Sequence, residues 1–287
     1  MKTAWKLMAC WAAFVVALMA TGAVMQVLHL QPVSPADATP MATQMFWQML
    51  SGAVLVLGLY PLARSLAGSF AMRAAALGGF IFLVLGINGT IEGKFFTHLL
   101  DGKVAAATTF FIILALLLGG TMAWSFGTAE HGEGLAQHGP TGWAGRGVVA
   151  WLSWPVIYLA FGICVAPIVV PYYTRGAAGL TIPPLDTIVE LQLFRSVIFL
   201  AATLPLIALW KGSRMGLWVA LGLTHAVVVG VYGLVGATFL PWVLRVAHSL
   251  EITGDSFAYA GLLVLLFAPH PGRQEAPSFK EPHAQPL

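Results

Sequence analysis

PMATQMFWQMLSGAVLVLGLYPLARSLAGS, residues 40–69, is an apolar run opened by a proline and closed by Gly-Ser, long enough to cross a bilayer as a helix. At a shift of 144 residues it lies over PLDTIVELQLFRSVIFLAATLPLIALWKGS, 184–213. Pro40, Thr43, Gln48, Pro61, Leu62, Gly68 and Ser69 meet Pro184, Thr187, Gln192, Pro205, Leu206, Gly212 and Ser213. The register continues through Ala76-Leu77-Gly78, Val84, Gly86, Gly89 and Phe95, which gives fourteen identities between 40–99 and 184–243. Shared apolar composition raises any such score, but it does not account for matched Pro, Gly, Gln and Thr.

Working outward from this pair, the hydropathy pattern predicts eight spans, at about 8–30, 45–66, 71–93, 104–126, 147–172, 188–210, 215–241 and 254–270. Irregular backbone cannot face lipid, so the spans are expected to be helical. The Gly-rich polar stretch 127–146 separates two groups of four. An even number of spans per group gives both copies the same orientation, related by an axis along the membrane normal. The expected fold is therefore an all-α polytopic integral membrane protein with eight transmembrane helices, arranged as two parallel four-helix pseudo-repeats with both termini cytoplasmic. Its parts are a first repeat at 1–126, a cytoplasmic linker at 127–146, a second repeat at 147–270 and a disordered cytoplasmic tail at 271–287. Glycines 86, 89 and 93 on the third span, answered by 230, 233 and 236 on the seventh, predict a close approach of these two helices near the axis.

Composition agrees with this class. Hydrophobic residues make up 59% of the chain and charged ones 9%, against about 45–50% and 25% in soluble domains. The net charge of +3 is dispersed, which excludes the basic footprint of a nucleic-acid binder. Cys10 and Cys164 lie in apolar runs and form no CxxC motif. The N-terminal segment has a basic start and an LMAC box, but its apolar run continues to about Leu30 and reads as a retained first span rather than a cleaved signal.

With the N-terminus inside, nine basic residues fall on the cytoplasmic face and five outside, an inner-membrane orientation by the positive-inside rule. Acidic residues divide the other way. The polar stretch INGTIEGKFFTHLLDGK, 87–103, and the stretch around AHSLEIT, 247–253, place His98 three residues from Asp101 and His248 three from Glu251. On a helix each histidine would share a face with its carboxylate. The four residues together are candidate ligands for a divalent metal, and the two histidines alone are candidate axial ligands for haem. The bland alternative is that they cap helix ends.

Glu92, Glu190, Arg195 and Arg245 are candidates for binding a substrate or ion, because ionisable groups at membrane depth are costly and mark function by default. Glu190 and Arg195 are five apart, about 140° round a helix, so Arg195 needs a partner from another span, with Glu92, Asp101 and Glu251 as candidates. His225, near the middle of the seventh span, reads as a hydrogen-bonded packing residue. No phosphate loop, HExxH, GxSxG or CxxCH motif is present. Three functions remain open: a transporter or permease for a small solute or ion with its polar site at the outer helix ends, a membrane metal or haem enzyme, and a structural subunit that lends its loops to a membrane-complex partner or a second copy.

Overall fold

The computed structural model describes residues 2–30, 39–97, 100 and 102–269. Within these the chain is helical, with eight helices long and apolar enough to span a membrane: α1 Lys2–Val27, α2 Met41–Ala63, α3 Phe70–Phe96, α4 Val104–Ser125, α5 Pro140–Thr174, α6 Leu185–Leu209, α7 Arg214–Gly236 and α8 Trp242–Phe267. Lys6 of α1 lies over the Phe126 ring just past α4, and the segment that follows Phe126 ties to Phe267 at the end of α8. The start of α1 and the end of α8 therefore share one face of the bundle, called here the terminal face.

The two largest boundary differences from the sequence reading have physical reasons. α8 begins at Trp242 rather than near 254, because its first half carries polar residues on one side, which an apolar window rejects although the helix is continuous. α5 begins at Pro140, inside the stretch read as a linker, with the proline in the first turn, where its missing N–H costs nothing. The remainder of that stretch is docked rather than free. Thr128 N donates to Leu66 O, Gly134 N to Ala208 O and Ala136 N to Phe267 O, tying the segment across the terminal ends of α2, α6 and α8.

Local chemistry sets the helix ends. Ser69 and Ser213 cap α3 and α7, their hydroxyls accepting from Met72 N and Gly216 N. Arginines close the C-termini, where exposed carbonyls and the helix dipole favour a cation. Arg73 donates to Ala123 O, Arg214 to Val264 O and Arg146 to Leu266 O. The connections after α2 and α6 clasp each other: Ala67 N donates to Leu209 O at 2.7 Å and Lys211 N to Ser65 O at 2.9 Å, around a bridge between Leu66 and Trp210.

Packing divides the helices into two sets. α4 packs on α1 and α3, and α8 packs on α5 and α7, while α2 and α3 meet α7 and α6 across the middle. The terminal half of the bundle is a dry core that includes Leu59, Leu62, Leu77, Phe80, Phe199, Leu206 and Leu221, all fully buried. Two π-helical segments, Ile81–Asn88 in α3 and Val227–Val231 in α7, pack against each other at its upper edge. α3 and α7 thus meet, but not through the predicted glycine stripe. A Cβ built on Gly89 or Gly233 would touch nothing within 4 Å; these glycines leave open space. His225 lies in the core, 2.9 Å from the Thr203 hydroxyl and edge-on to Phe80.

Candidate functional site

Above the dry core, the half of the bundle away from the terminal face encloses a cavity of about 860 Å3 to which all eight helices contribute. It extends from Leu100, Leu180 and Leu240 at the helix ends down to Trp154, Arg195 and Asp255 in mid-bundle. Most of the wall is aliphatic or aromatic, and among the described residues Glu92, Arg195, His248, Glu251 and Asp255 are the acids and bases, tyrosines aside, that face it.

Arg195 is 1% exposed and stands ten residues into α6, about 15 Å along the helix at 1.5 Å per residue. Its charge is therefore deeper than the expected placement at the outer helix ends. Nε donates to Asn88 Oδ1 at 2.6 Å, and Nη2 to Glu92 Oε2 at 3.2 Å. The rings of Trp154, Tyr158 and Phe199 surround the guanidinium at 5.7–5.9 Å, within cation–π range. Trp154 is fixed in turn by Gln192, whose Oε1 accepts the indole N–H at 2.9 Å. Nη1 of Arg195 has no hydrogen-bond partner among the described residues. The π turn of α3 ends at Asn88. Because its turns are wider than α turns, it re-aims the side chains that follow, Asn88 and Glu92 included.

The second polar column runs along α8. Tyr173 of α5 lies with its hydroxyl 3.2 Å from His248 Nε2, and His248 Nδ1 lies 2.7 Å from Glu251 Oε2. One turn deeper is Asp255, 2% exposed, which accepts a 3.4 Å bond from the adjacent Ser256 hydroxyl. Spacings of three and four residues put these three side chains on one face of the helix.

Of the residues singled out from sequence, the cavity gathers Glu92, Arg195, His248 and Glu251. Glu190 is exposed and does not line it. Arg245 is used elsewhere: it donates to the carbonyls of Leu234 and Val235 at the end of α7 and lies over the Trp47 ring at 4.9 Å. His98 and Asp101 lie outside the described residues. Among the described residues no three His, Cys, Asp or Glu side chains converge as a metal site requires. The sequence reading missed Asp255, Asn88, Gln192 and Trp154. Asn88 is the chain's single asparagine and falls inside a predicted span, a signal that was available. Asp255 falls at the start of the span predicted from 254, and its depth is seen only when the polar stretch is drawn as part of α8.

The fold and the cavity together define a multi-pass membrane protein with a buried polar site. No protein-family model, curated protein or solved structure matches the chain.

Proposed function

We propose that the protein is an inner-membrane permease for a small solute or ion, built as two parallel four-helix pseudo-repeats with both termini in the cytoplasm and its cavity facing the opposite side. The observation that carries this reading is the cavity itself: every span contributes to it, and it leads from one face to a charged pair in mid-bundle. A buried arginine and acid are costly in that setting unless the site is used.

The duplication is supported by reciprocity. Under the 144-residue shift the bond from Ala67 N to Leu209 O becomes the bond from Lys211 N to Ser65 O, so the clasp maps onto itself with its halves exchanged. The serine caps of α3 and α7 correspond under the same shift, and so do the two π segments. In parallel-repeat transporters such an axis runs along the membrane normal, and alternating access works by rocking one half against the other. Here the cavity would open to the cytoplasm by parting the clasp and the core beneath Arg195.

The test is uptake into proteoliposomes of a panel of amines, carboxylates, zwitterions, sugars and inorganic ions. Protein-dependent uptake of at least one class is expected, abolished in Arg195→Gln protein that is folded and elutes as the parent does. No uptake of any class by folded protein contradicts the proposal.

A further inference from the structure

Charge inside the cavity specifies its solute further, an inference that rests on the solute-cavity reading above. Arg195 and Glu92 form an ion pair and largely cancel. Glu251 and Asp255 remain, and among the described residues the other acid or base on the wall, tyrosines aside, is His248. With all the acids counted as ionised, the formal charge of the five residues is negative whether His248 is neutral or protonated. Asp255 is the group that most needs a partner. It is 2% exposed and lines the cavity, it forms no ion pair among the described residues, and its one hydrogen bond is the long contact with Ser256. Glu251, one turn before it on the same face of α8, is a second acid. Burying a carboxylate without a partner is costly, and a cation brought in from outside would offset that cost.

The rest of the wall limits which cation fits. No three metal-ligating side chains converge among the described residues, so a bare metal ion would have to keep most of its water in a largely apolar chamber. Aromatic rings are abundant instead: Trp154, Tyr158, Tyr173, Phe96, Phe110 and Tyr232 all face the space. Ring faces attract an organic cation, and aliphatic walls shelter its hydrocarbon. We propose that the cavity takes an organic cation, an amine or quaternary onium on an apolar body, with its charge against Glu251 and Asp255 and its body among the aromatic side chains.

Tetraphenylphosphonium and tetraphenylborate are nearly the same size and opposite in charge, so together they test this directly. Equilibrium binding of each is measured on the full-length protein in nanodiscs, with empty nanodiscs subtracted. The expected result is saturable binding of the phosphonium, at least tenfold tighter than any binding of the borate, with a further tenfold loss in Glu251→Gln/Asp255→Asn protein. Equal or tighter borate binding, no saturable phosphonium binding, or phosphonium binding unchanged in the folded double variant overturns the proposal. The comparison of the two ions on the parent protein stands even if the double variant does not fold. Phosphonium binding without transport of any solute supports the ligand class while removing the permease reading. Selective uptake of an anion supports the permease while overturning the ligand class.

Discussion

Arg195, Asn88 and Glu92 occupy, under the 144-residue shift, the places of Ser51, Tyr232 and Gly236. The two triplets are wired alike. In each, a residue of α6 or α2 crosses to the third helix of the other half: Arg195 donates to Asn88 and Glu92, while Ser51 donates to Tyr232 O at 2.8 Å. Gln192 and Gln48 match as well, one accepting from Trp154 and the other donating to the Tyr232 hydroxyl at 3.3 Å. If the two are copies of one scaffold, as proposed, one side carries an ion pair and the other a set of neutral hydrogen bonds. Packing and hydrogen bonding suffice to hold α2 against α7, so holding α6 against α3 does not by itself require charge. Under the proposed function, the pair on the Arg195 side serves the solute.

The largest expected effect follows from this contrast. Arg195→Met strands Glu92 and the Asn88 carbonyl, and is expected to cost about 3 kcal/mol, the low end for breaking a buried pair because Glu92 is partly exposed. Ser51→Ala removes one neutral hydrogen bond and is expected to cost about 1 kcal/mol. Thermal unfolding in detergent reads both; equal losses would mean that the two sites are energetically alike.

A smaller effect sharpens the same comparison where the halves agree. Gly68 and Gly212, at equivalent places in the clasp, have φ of +117° and +157°, a region that side chains avoid. Gly68→Ala and Gly212→Ala are each expected to lower stability by about 1–2 kcal/mol. A cost at one position only would show that the two turns are not the same structure.

Much of the bundle was legible in the sequence because lipid imposes a simple rule, about twenty apolar residues per crossing. The rule failed where a helix turns a polar face inward: residues 242–253 of α8 carry His248 and Glu251 toward the cavity, and hydropathy read them as loop. The partnership of Arg195 with Glu92 was among the options read from helical angles, but the depth of the pair was not, since depth depends on where each helix starts. Asn88 and the bare faces of Gly89 and Gly233 depend on π turns, which leave no signature in composition. Arg245 showed the opposite difficulty: a charge near a span end was read as site chemistry and serves as a cap on α7.

Gly89 and Gly233 offer the most direct test of the account's central claim, that two like-oriented quartets share one cavity on the face opposite the termini. They correspond under the 144-residue shift, both line the cavity, and each has room for a side chain. With Cys164 and Cys10 replaced by serine and alanine, Gly89→Cys and Gly233→Cys are labelled with a membrane-impermeant maleimide in right-side-out and inverted vesicles. Both are expected to react from the periplasmic side, and both to be protected from the cytoplasmic side. Labelling from opposite sides, or of neither residue from either side, would contradict the account.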